Sequence, residues 1–128
     1  MTTAFAALVA SATTATAATD PYEYLIVPVH SEKCLDVLDA DPGDAADIVQ
    51  WTCDGRVSQR FSAAPADGGP AQRWRVEGGA AHGYGIVSDD TGLCLEVEFA
   101  SLEDGAEVRQ YPCHGQANQR FSFDDVPA

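Results

Sequence analysis

Beyond residue 22 the apolar positions fall in short runs rich in Val, Ile, Tyr and Phe, each closed by Gly, Pro, Asp or Ser. β-Branched and aromatic residues suit a pleated, half-buried surface, and the punctuating residues favour turns. The pattern predicts strands over 23–29, 34–38, 47–53 and 59–64, then over 84–88, 94–98, 107–113 and 119–123. A ninth is expected around Trp74. No window keeps a helical period, since a breaker interrupts every stretch of about twelve residues. One helical turn near Pro42 to Ala45 is the exception allowed. The chain reads as all-β.

The predicted strands also repeat, and self-similarity at a fixed period marks a duplicated structural unit. Adding 60 to a residue number maps Tyr24, Ile26 and Val27 onto Tyr84, Ile86 and Val87 without a gap. Cys34-Leu35-Asp36-Val37 becomes Cys94-Leu95-Glu96-Val97, and Gln50-Trp51-Thr52-Cys53 becomes Gln110-Tyr111-Pro112-Cys113. Gln59-Arg60-Phe61-Ser62 recurs as Gln119-Arg120-Phe121-Ser122. Of the 39 pairs aligned between Tyr24 and Ser62, 16 are identical, so the copies arose by duplication.

Composition narrows the function. The 128 residues suffice for one domain. Lys and Arg number 7 against 20 Asp and Glu, a formal charge of −13. That argues against nucleic acid and anionic membrane surfaces, both of which need a basic face. No apolar run approaches the ~20 residues of a membrane span. Residues 1–19 stand apart: they carry no charge, are mostly Ala and Thr, and offer Ala15-Thr16-Ala17 as a cleavage site. They read as a secretory signal peptide whose basic start lies upstream. Residues 20–128 are then a single secreted domain.

Four cysteines allow three connectivities. Only Cys34–Cys53 with Cys94–Cys113 preserves the repeat, each bridge closing a loop of about 20 residues for roughly 3 kcal/mol. Zinc needs clustered ligands such as C-x2-C, and the acidic series Asp39, Asp41, Asp44 and Asp47 does not follow the calcium-loop order. No metal or cofactor is expected. G-x-S-x-G and H-E-x-x-H are both missing from the sequence, so the expectation is a protein that is not an enzyme.

A copy built as Cys-Leu-Asp-Val, an Asp/Gly loop, Gln-Trp-x-Cys, a Gly turn and Gln-x-aromatic resembles the Q-x-W repeat of ricin-type lectins, the family-13 carbohydrate-binding modules. The resemblance implies a β-trefoil of three four-stranded lobes around a pseudo-threefold axis, with Phe61 and Phe121 in the shared core. Two lobes are clear here. The third is expected to be reduced and to lie between Phe61 and Tyr84, where Gln72-Arg73-Trp74 echoes Q-x-W and Trp74 fills the missing core position. The resemblance also implies sugar sites: Asp36, Trp51, Ser58 and Gln59 in lobe one, and Glu96, Tyr111, Asn118 and Gln119 in lobe two. A carboxylate accepts sugar hydroxyls, a ring stacks on the C–H face and amides add contacts. The family often has Gln four residues before the second cysteine, where this chain has Val49 and Arg109. His114 sits where it could border a site, and Arg73 and Arg75 flank Trp74.

The reading is therefore a secreted lectin-like domain that recognises neutral mono- or polysaccharides, with no nucleic-acid or membrane partner. The alternative is an adaptor that kept the scaffold and binds a protein partner or itself. A protease inhibitor using the Pro65–Pro70 loop is a minor third.

Overall fold

The computed structural model describes residues 2–5, 7–10, 23–38, 47–64, 74–79 and 81–126. The nine predicted strands are β3 (Glu23–Pro28), β4 (Cys34–Val37), β5 (Ile48–Trp51), β6 (Phe61–Ala64), β7 (Trp74–Gly79), β8 (Gly83–Ser88), β9 (Cys94–Val97), β10 (Val108–Tyr111) and β11 (Phe121–Asp125). Two more, β1 (Thr2–Phe5) and β2 (Ala7–Ala10), precede them. The fourth strand of each copy starts later than its pattern suggested. Val57–Gln59 and Ala117–Gln119 form 3-10 turns that carry Gln59 and Gln119 inward before the chain extends at Phe61 and Phe121. The helical turn expected at Pro42 to Ala45 lies outside the described residues.

Both copies fold alike. In lobe one the β4–β5 hairpin pairs Cys34 with Trp51, Leu35 with Gln50, Asp36 with Val49 and Val37 with Ile48. In lobe two the β9–β10 hairpin repeats that register, pairing Cys94 with Tyr111, Leu95 with Gln110, Glu96 with Arg109 and Val97 with Val108. The disulfides are Cys34–Cys53 and Cys94–Cys113, as symmetry required. Seven strands follow the order β1-β7-β8-β11-β3-β6-β2 in one curled sheet, which the β9–β10 hairpin joins where Cys94 pairs with Val87, while β4–β5 forms a separate two-stranded sheet. This is the β-trefoil arrangement, with paired first and fourth strands in the sheet and a hairpin hung from each complete lobe.

Register locates the reduced lobe. Within lobe one Tyr24 pairs with Phe61, and within lobe two Tyr84 pairs with Phe121. Across lobe boundaries Pro28 pairs with Phe121 and Ser88 with Trp74. Trp74 thus holds the place of Phe61 and Phe121, which makes β7 the fourth strand of the third lobe. Strands β1 and β2 complete the analogy, because Phe5 pairs with Trp74 and Ala10 with Phe61. They stand where that lobe's first strand belongs, with one residue more between the two marker positions. Among the described residues this lobe has no hairpin of its own.

The core lies on the pseudo-threefold axis. Ile26, Leu35, Val37, Phe61, Ile86 and Phe121 are buried together, with Ile48, Trp74, Leu95, Val108 and Phe123 packed around them. Most are pairs related by 60 in sequence. An apolar cavity of about 150 Å³ lies among Ile26, Leu35, Ile48, Phe61, Trp74, Leu95 and Val108, which β3, β6, β7 and the two hairpins bring together. Trp74 is only partly buried there. Tight contact elsewhere is purchased by glycine: a Cβ on Gly83, which has φ +86°, would stand 2.8 Å from Val29 Cγ2.

Candidate functional site

The two hairpins carry the expected site residues to equivalent places. Strand alternation buries Leu35 and Val37 on the axis side and turns Asp36 the other way, and likewise sets Glu96 between Leu95 and Val97. Asp36 and Glu96 are nevertheless only 4 % and 3 % exposed, because the 3-10 turn of each lobe folds against the hairpin. Buried carboxylates require partners, and the partners differ between lobes.

In lobe one, Gln59 Nε2 donates to Asp36 Oδ2 at 3.1 Å and to the Thr52 carbonyl at 2.9 Å, while Asp54 N–H donates to Gln59 Oε1. Gln59 is thereby spent inside the lobe and orients the carboxylate. The residue across from Asp36 is Val49, which is buried and offers no charge. An open cleft of about 190 Å³ lies beside Asp36, lined also by Val37, Leu38, Val49, Trp51, Arg56 and Ser58. Trp51 is 36 % exposed.

In lobe two the cross-strand neighbour of Glu96 is Arg109, whose Nε and Nη2 both donate to Glu96 Oε2, at 3.2 and 3.1 Å. His114 Nε2 lies 2.7 Å from Oε1, and Gln119 Nε2 donates to the same oxygen at 3.0 Å. Burial works against the charge of Glu96, but the bonds from His114, Arg109 and Gln119 together hold its carboxyl below the usual range. The guanidinium also lies over the rings of Tyr111, at 4.7 Å, and Phe99, at 5.0 Å. Asn118 is buried and donates from Nδ2 to the Val97 carbonyl at 3.0 Å. Lobe two therefore places Glu96, Tyr111 and Gln119 together with Arg109 bound to the carboxylate and lying over the ring.

The sequence did not reveal how the two complete lobes meet. The 101–107 segment of lobe two packs against β5: Gln50 Nε2 donates to the carbonyls of Ser101 and Glu103, at 2.7 and 2.9 Å, and Thr52 N–H to Asp104 Oδ1 at 2.8 Å. Lys33 closes the group at 2.9 Å from Asp104 and, with Thr52, lowers that carboxyl below its ordinary range. The backbone joins too, Gln50 N–H donating to the Ala106 carbonyl and Gly105 N–H to that of Gln50. Arg75 beside Trp74 pairs with Glu77 and Asp89 on the surface. Among the described residues no group of three or more His, Cys, Asp or Glu is placed to hold a metal.

Comparison with known proteins agrees with this architecture. A designed threefold-symmetric protein, ThreeFoil, shares 27 % identity, superposes with a TM-score of 0.73, and is covered over 99 % of its length by 81 % of this chain. The exo-β-1,3-galactanase 1,3Gal43A from Clostridium thermocellum also shares 27 % identity with a TM-score of 0.73, but 84 % of this chain spans only 31 % of that enzyme. The C-half of the earthworm R-type lectin, solved with GalNAc, matches at 19 % identity and a TM-score of 0.66, over 82 % of this chain and 99 % of that one. No curated protein sequence matches. The family profile described as the ricin-type β-trefoil lectin domain matches residues 22–127, which takes in both duplicated copies, both disulfides and β7, and the chain belongs to that carbohydrate-binding family.

Proposed function

We propose that the protein is a secreted, non-catalytic lectin domain whose working site is lobe one. The observation that carries this is the residue opposite each carboxylate. Val49 leaves Asp36 beside an open cleft with Trp51 at its edge, whereas Arg109 seals Glu96. Asp36 accepts a sugar hydroxyl, Trp51 stacks on the apolar face of the ring, and Gln59 holds Asp36 in place. A cleft below the ~300–1,000 Å³ of drug-sized pockets suits one sugar residue bound weakly, near millimolar, or about −4 kcal/mol. The net charge of −13 disfavours anionic glycans.

Two disulfides suit an oxidising compartment, and the uncharged 1–19 segment suits a cleavable leader. Cleavage after Ala17 takes β1 and β2 away and leaves β6 and β7 without those neighbours. A second activity, protein binding, has support at lobe two, where Phe99 and Leu102 are 81 % and 63 % exposed.

Calorimetric titration of methyl β-galactoside, xylose and arabinose into wild type, Asp36→Ala and Trp51→Ala tests the lectin reading. Binding by wild type and its loss in both variants, each of which still folds and melts cooperatively, is expected. Equal weak binding by all three proteins, or none by wild type, favours the adaptor instead.

A further inference from the structure

The turn after Cys53 differs between the copies. Lobe one has Asp54-Gly55-Arg56 where lobe two has His114-Gly115-Gln116. Gly55 at φ +81° reverses the chain, and Arg56 N–H donates to Asp54 Oδ1 at 3.1 Å. The same aspartate grips one edge of the guanidinium, with Oδ2 accepting from Nε at 2.6 Å and lying 2.5 Å from Nη2. Two charge-assisted contacts to one carboxylate fix the plane of an otherwise flexible head. The remaining nitrogen, Nη1, stands 3.9 Å from Asp36 Oδ2. That is beyond hydrogen-bond length, unlike the direct contacts Arg109 makes with Glu96. The guanidinium carbon lies 5.7 Å from the Trp51 ring centre, and Arg56 lines the same cleft as Asp36 and Trp51.

We propose that Arg56 is a ligand-contacting residue of lobe one, and that its Nη1 and Asp36 Oδ2 together seat a single sugar hydroxyl. The inference rests on the lobe-one lectin reading. A hydroxyl is both donor and acceptor. In this gap it donates to the carboxylate and accepts from the guanidinium, its oxygen about 2.8 Å from each at roughly a right angle. No charged group does the same: an ammonium meets Arg56, and a carboxylate meets Asp36. The pair therefore selects a neutral polyol, whereas Asp36 alone would accept any donor. Asp54 is a positioning residue, since it touches Arg56 and not the cleft. Its carboxyl is held below the ordinary range by the Arg56 bond, so the clamp stays closed through the neutral range.

The test is an NMR shift titration of methyl β-galactoside, xylose and arabinose against wild type, Asp36→Ala, Arg56→Met and Asp54→Asn, with a melting curve for each. Methionine keeps an apolar stem beside Trp51 and removes the N–H donors. Arg56→Met is expected to bind at least fivefold more weakly than wild type with its melting temperature unchanged. Asp54→Asn should lose about two- to threefold, because the arginine remains but is no longer clamped. If Asp36→Ala loses binding while Arg56→Met binds as well as or better than wild type, the Arg56 assignment is overturned and the lectin reading stands. If wild type binds none of the three sugars, both fall.

Discussion

Replacing Arg109 by Val places the lobe-one residue in the lobe-two hairpin, and its cost follows from the contacts it removes. Glu96 loses two donors on Oε2 and keeps His114 and Gln119 on Oε1. Orphaning a fully buried charge costs about 3–5 kcal/mol. Here the carboxylate side is 3 % exposed but Arg109 is 33 % exposed, so water already screens the pair. The expected loss is about 1–2 kcal/mol, or roughly 3–10 °C in melting temperature for a domain of this size. pH provides the signature. The Glu96 carboxyl is depressed in the fold, so its contribution is complete above the unfolded value of 4.5 and vanishes as pH falls through the lower folded value. The Arg109→Val deficit should be full at pH 7 and shrink below about pH 4. Melting curves of both proteins by circular dichroism at pH 7 and pH 3 measure it. A deficit equal at the two pH values, or none at pH 7, would refute the assignment of Arg109 as the partner of Glu96.

Core and edges give further expectations. Phe121→Ala removes a side chain with no exposure and should cost about 3–5 kcal/mol in denaturant unfolding. Trp74→Ala should cost less, about 2 kcal/mol, because Trp74 is partly buried and already borders a cavity; equal losses would contradict its place in a reduced lobe. Opening one bridge with Cys34→Ala and Cys53→Ala should lower stability by roughly 3 kcal/mol in the same assay. A protein of residues 20–128 should unfold at lower denaturant than the full chain, since β6 and β7 lose the ladders to β2 and β1. Coincident curves would show that those ladders contribute nothing.

The nine central strands were legible because short β-branched and aromatic runs closed by turn residues are local signals, and the cysteine pairing because two copies with equal spacing constrain each other. Trp74 was legible as a core residue through its Gln-x-aromatic context. Other features depend on three-dimensional neighbours. The sequence marks position 109 as unusual, but only the hairpin register sets Arg109 directly across from Glu96. Gln59 and Gln119 read as ligand amides, yet the 3-10 turns rotate them inward, where each spends its amide on a carboxylate and a backbone carbonyl. The docking of 101–107 onto β5 joins residues about 50 apart in sequence, beyond any local pattern. The pairing of β2 with β6 and of β1 with β7 was hidden because a short uncharged apolar run suits an export leader and an extended strand alike.

The central claim is that the duplicated copies have diverged into one open site and one closed by its own arginine. A titration of the nitrogen-labelled protein with methyl β-galactoside, xylose and arabinose, followed by two-dimensional amide spectra, tests it most directly. Concentration-dependent shifts are expected at the amides around Asp36, Trp51, Arg56 and Ser58 alone, with Glu96, Arg109 and Tyr111 unmoved. Equal shifts in both lobes, or shifts at lobe two alone, would contradict it.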